Sequence, residues 1–119
     1  MSLGYVGYCK KHMEDVSKVY YRYSGANWNE PNRNKEADMA YDGVFVIDKI
    51  AIQDMDKDSF LASAFNDGYI KIELECENAF YRFKLKEGNI DYIALRLISK
   101  VINDYLDNSA FPEKMSFIQ

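Results

Sequence analysis

Disulfide bonding is the first thing this chain has too little of to rely on. Its two cysteines, Cys9 and Cys76, cannot build a framework of bridges and suit a reducing compartment. No apolar run approaches the ~20 residues that span a bilayer. The opening "MSLGYVGYCKKHMED" has no basic start followed by an apolar stretch, so no secretory signal is visible. Cytoplasm is the expected location, without a membrane partner. Positive charge is also in short supply. Fifteen Lys and Arg against nineteen Asp and Glu leave a formal charge of −4. That sign disfavours nucleic acid, whose binding is driven by counterion release onto cations.

The scarcity of single residue types removes several chemistries. One histidine, His12, restricts general acid–base catalysis. Cys9 and His12 stand in "CKKH", a spacing zinc sites use, but no second pair completes a site. A Cys9–His12 nucleophilic pair is weakly placed too, because lysines flank His12 in an expected turn. The six glycines never cluster as a phosphate-cradling loop, and no G-x-S-x-G elbow exists. "DMDKDS", Asp54 to Ser59, starts like a calcium loop. Counted from Asp54, however, the turn glycine falls on Ser59 and the bidentate glutamate on Phe65. The chain therefore offers no catalytic, metal-ligating or cofactor-binding residues that its sequence can name. Catalysis is the less favoured reading.

What remains is the composition of one folded domain. With 119 residues, 48% hydrophobic and 29% charged, the chain can bury a core without staples. No repeat or Pro/Gly/Ser linker divides it, so residues 1–119 are read as a single domain.

The strongest periodic signal is "NIDYIALRLISKVINDYLDN", from Asn89. Ile90, Ile93, Ala94, Leu97, Ile98, Val101, Ile102 and Tyr105 form one apolar stripe at helical spacing. Asn89 is the expected N-cap, and Asn108, Ser109 and Pro112 the stop. Ile70, Ile72, Leu74 and Cys76 alternate with Lys71, Glu73 and Glu75, the period of a half-buried strand. "ENA" then reads as the turn to a partner strand, Phe80 to Leu85. Glu73 and Glu75 would face Arg82 and Lys84 across that hairpin.

"VSKVYYRY" and "GVFVIDKIAI" are β-branched and aromatic runs. "LGYVGYCK" reads as a strand turning through "KHMED", with an amphipathic helix as the rival. "DSFLASAFNDG" reads as a short helix, with a hairpin about "NDG" as the alternative. The expected fold is α+β: an antiparallel sheet of about four to five strands with a long C-terminal amphipathic helix packed on one face.

Two features bear on function. Residues 25–42 form an insert too long for a simple connection in a compact domain. It carries the chain's one tryptophan, Trp28, with asparagines and Arg33. Ten tyrosines are the least ordinary part of the composition. On "VYYRY", Tyr20 and Arg22 must point opposite to Val19, Tyr21 and Tyr23. Exposed Tyr, Trp and Arg are enriched at protein–protein hot spots, although tyrosines with wet hydroxyls also fill small cores. "YYRY" and "FYRFKL" do not match the RNA-binding consensus.

The expected function is a non-enzymatic, cytosolic protein-binding module of the inhibitor or immunity type, contacting its partner through Trp28, Tyr20, Arg22, Arg33 and Tyr41. The acidity of the chain suits a basic target. The partner is another protein, with a second copy of this chain, as a homodimer, among the candidates. A small-ligand binder or small enzyme, with its pocket between sheet and insert, is the alternative.

Overall fold

The computed structural model describes residues 4–53, 64, 67–79, 82–84 and 88–118. An antiparallel sheet of five strands, in the order β4-β3-β2-β1-β7, is its frame. The strands are β1 (Tyr5–Glu14), β2 (Lys18–Asn27), β3 (Gly43–Asp48), β4 (Ile70–Leu74) and β7 (Lys114–Ile118). A short pair, β5 (Arg82–Lys84) and β6 (Asn89–Asp91), forms a separate ribbon. A brief helix α1 (Ile50–Gln53) follows β3, and helix α2 (Tyr92–Asn108) leads to β7.

The β1–β2 hairpin closes on Asp15. One of its carboxylate oxygens accepts from the backbone N–H groups of Ser17 and Lys18, both at 2.8 Å. That is an aspartate holding its own turn. The strand reading of the N-terminus therefore holds, but "KHME" continues β1 through a bulge between Lys11 and Met13. The turn comes only at Asp15.

Helix α2 has 17 residues and covers one face of the sheet, touching β1, β2 and β7. Its inward stripe is Ile93, Ala94, Leu97, Ile98, Val101 and Ile102, all buried. Opposite it lie Tyr21, Tyr23, Phe45, Ile47 and Ile70, each at most 1% exposed. Each such large apolar side chain contributes roughly 1.5–3 kcal/mol on leaving water, so this layer carries the fold. Gly7 and Gly25 pair directly across β1 and β2 under Ile93. A Cβ at Gly7 would lie 2.5 Å from the Phe117 ring, so the helix seats here only because neither residue has a side chain.

Three expectations are corrected. The helix is not the C-terminal element, because β7 follows it and pairs with β1. Its N-cap is Asp91 rather than Asn89, with a carboxylate oxygen accepting from the Ile93 N–H at 3.2 Å. Finally, β4 makes no hairpin with β5. β4 pairs with β3, and β5 pairs with β6, so Glu73 and Glu75 do not face Arg82 and Lys84. The cause is local. The Cys76 N–H is held by the Tyr23 hydroxyl, and the Asn78 amide by Asn34 and Asp38. Those bonds draw the loop toward the insert: "ENA" does turn, with the Ala79 N–H donating to the Cys76 carbonyl at 3.2 Å, but the turn does not return the chain alongside β4. Gly88, at φ +95°, leads into β6 with a backbone conformation that favours glycine.

The calcium-like run, residues 54–59, lies outside the described residues, as does nearly all of the stretch read as a short helix. No described helix is long and apolar enough to cross a membrane.

Candidate functional site

The face of the sheet opposite α2 is built by strand alternation. Val19, Tyr21 and Tyr23 point to the helix and are fully buried, which sends Tyr20 and Arg22 to the other side. Register then aligns three cations. Arg22 of β2 stands opposite Lys10 of β1, and Lys10 stands opposite Lys114 of β7. All three are exposed, and none makes an ion pair within the described structure. Side chains directly opposite one another have Cβ atoms ~4.5–5.5 Å apart, and like charges so placed destabilise a sheet. The fold tolerates a repulsive row on this surface.

Tyrosines border the row. Tyr8 lies one step along β1, opposite Ser24 and Ser116. Tyr41, at the end of the insert, reaches across β2 so that the Lys10 ammonium sits 4.4 Å from its ring centre. Such a contact stabilises the cation by roughly 0.5–1 kcal/mol at an exposed site. Tyr41 adopts a positive φ of 52° to do so. Tyr8, Tyr41, Lys100, Lys114 and Ser116 line an open cleft of about 400 Å³ along the β1–β7 border. Lys100, from α2, thus shares this cleft with Lys114.

The sequence candidates separate into two groups. Arg22 and Tyr41 belong to this surface, and Tyr20, half-buried, adjoins it. Trp28 is 48% exposed but lies beyond the end of β2. Six residues of strand at roughly 3.3 Å each put it about 20 Å from Arg22. Arg33 is spent within the insert. Its Nε lies 3.2 Å from an Asp38 carboxylate oxygen, and it donates to the Trp28 carbonyl. A second bracket fixes the same loop: the side-chain oxygen of Asn78 accepts from the Asn34 N–H, while its amide donates to the Asn34 carbonyl and Asp38. The insert is thus a folded strap.

Sequence reasoning missed Lys10, Lys100, Lys114 and Tyr8. Lys10 closes the run read as a strand, but its face is not assigned from the sequence. The signal that could have found it is the inward Cys9, since alternation sends its neighbour outward. Lys114 needed β7, which no periodicity announced.

Among the described residues, Cys9 and His12 do not come together. Burial pushes the Cys9 thiol up to about 12, and Cys9 lies on the helix side while His12 is exposed. Cys76 is likewise pushed up, by burial first and then by Asp91. Tyr23, Cys76 and Asp91 form a buried polar knot. The Tyr23 hydroxyl donates to Asp91 at 2.8 Å and accepts from the Cys76 N–H at 3.1 Å. Asp91 also caps α2, so the knot ties β2, the loop after β4 and the helix start together. No cluster of three or more His, Cys, Asp or Glu that could hold a metal occurs among the described residues. No family model, curated protein or solved structure matches this chain.

Proposed function

We propose that this protein is a non-enzymatic protein-binding module of the inhibitor or immunity type, acting in the cytoplasm through the sheet face opposite α2. One observation carries the reading: the cross-strand row Arg22–Lys10–Lys114, without an ion pair among the described residues and bordered by Tyr8, Tyr20 and Tyr41. Arg and Tyr are the residue types that anchor protein interfaces. The repulsion stored in the row is relieved when a partner supplies negative charge. The local sign is opposite to the net charge of −4, so the partner surface is acidic where it meets this face, rather than basic as the whole-chain charge suggests. Trp28 extends the contact only for a partner long enough to reach the end of β2.

The test compares wild type with Lys10→Glu plus Arg22→Glu in affinity capture from the native host, followed by titration of each purified partner. Loss of at least one partner in both measurements supports the reading. Equal recovery and equal affinity for every partner, a second copy of this chain included, sinks it.

A small-ligand reading draws on the cleft of about 400 Å³, a volume typical of ligand sites. Its ligand would be a compact anion held by Lys100 and Lys114. A rise in melting temperature with inorganic phosphate or citrate, abolished by Lys100→Ala, would favour it over the protein partner.

A further inference from the structure

We infer that the open edge of β7 receives an extended acidic segment of the partner protein, added to the sheet as a sixth strand. This rests on the protein-binding reading and gives it a mode and a partner chemistry.

Ladder phase comes first. The Lys11 N–H donates to the Glu113 carbonyl at 2.8 Å, which makes 11 and 113 a hydrogen-bonded pair. Such pairs alternate along an antiparallel ladder. Met115 and Phe117 therefore turn their backbone groups toward β1, while Lys114, Ser116 and Ile118 turn theirs outward. β7 is the last strand of the sheet on that side, and no hydrogen bond to those outward groups occurs within the described structure. An unpaired strand edge is a template for another strand.

Charge selects what pairs there. An edge lysine alone is an ordinary guard against aggregation. Here cations stand on both sides of the edge. On the outer face, Lys10 and Lys114 oppose each other in a non-hydrogen-bonded pair, the type in which side chains come closest. On the helix side, Arg96 and Lys100 are four residues apart on α2, another like-charge juxtaposition. The Arg96 guanidinium lies 5.6 Å from the centre of the Phe117 ring of β7, and Lys100 lines the cleft beside Lys114. Side chains of an added strand alternate between the two faces, so carboxylates on it meet cations whichever way they point. Ile118, 74% exposed, offers an apolar seat at the end of the same edge.

The experiment titrates labelled decapeptides by fluorescence anisotropy: alternating Glu–Thr, alternating Lys–Thr, and alternating Glu–Thr methylated at every backbone nitrogen. The last keeps the carboxylates but lacks every backbone donor. A ten-nucleotide thymidine strand is the fourth probe. Proteins are wild type, Lys100→Glu plus Lys114→Glu, and Ser116→Pro. The proline removes an outward N–H and no ladder bond, a substitution edge strands accept; circular dichroism checks the fold.

The expected result is binding of Glu–Thr to wild type. It weakens at least tenfold with the N-methylated peptide, with the double charge reversal and with Ser116→Pro, and the Ser116 amide of wild type is newly protected from exchange. Equal binding of Glu–Thr and its N-methylated form by wild type overturns strand addition. So does full binding by folded Ser116→Pro, no binding of Glu–Thr, or tighter binding of the thymidine strand. If these fail while Lys10→Glu plus Arg22→Glu still loses a captured partner, the protein-binding reading stands and only the edge mode falls.

Discussion

At the scale of residues, one hydroxyl decides more than its size suggests. Tyr23 is buried with its ring against Phe45, centroids 5.7 Å apart, and its hydroxyl satisfies two elements at once. Burial first, and the neighbouring Asp91 carboxylate second, push that hydroxyl far above the ordinary phenol range, so it stays a donor. Tyr23→Phe keeps the ring and removes the bonds. The Cys76 N–H then loses its acceptor in a site without water access, and Asp91 loses a donor. Leaving such groups unpaired costs about 1–3 kcal/mol. Urea denaturation should show that loss as a lower midpoint at unchanged slope. A shift below a few tenths of a kcal/mol would mean the knot is incidental.

At the scale of elements, the end of α2 makes a contrasting case. Ser109 closes it in the left-handed region, φ 58° and ψ 23°, with its N–H bonded to the Tyr105 carbonyl at 2.7 Å. A side chain is strained there and glycine is not. Ser109→Gly should therefore stabilise the fold by about 0.5–1 kcal/mol, raising the melting temperature by a few degrees. A lower melting temperature would show that the serine side chain contributes more than its strain costs.

Elements also show what a sequence can disclose. The stripe of α2 was legible because a helix writes its buried face locally, every three or four residues. The alternation that turned Tyr20 and Arg22 away from Tyr21 and Tyr23 was legible for the same reason. The β4–β5 pairing was misread because side-chain bonds from Tyr23, Asn34 and Asp38 settle it, and these lie far back in the chain. The cation row was hidden likewise: Lys10 and Lys114 stand at opposite ends of the chain and meet only through register.

At the scale of the whole molecule, one ionic network ties the first strand to later connections. The Lys11 ammonium lies 2.8 Å from a Glu14 oxygen and 3.2 Å from Glu113, which precedes β7. Lys49, just after β3, reaches the other Glu14 oxygen at 2.7 Å. Glu14 is thus shared by two lysines. Their hydrogen bonds, that of Lys11 first, hold its carboxyl below the usual range. A carboxyl whose folded value lies below its unfolded value stabilises the fold above the unfolded value, ~4.3, and that stabilisation is lost as pH falls through the folded one. Partly exposed pairs of this kind contribute up to about 1 kcal/mol each, less in high salt. Glu14→Gln should therefore be less stable than wild type at pH 7. The gap should shrink as pH falls below about 4 and close as pH passes through the lowered folded value, where wild-type Glu14 itself becomes protonated. Denaturation midpoints of the two proteins, measured from pH 7 to pH 2 in low salt, give the comparison. Parallel curves with a constant gap would assign the loss to packing at residue 14 and leave the ionic network without a share in holding the sheet to its connections.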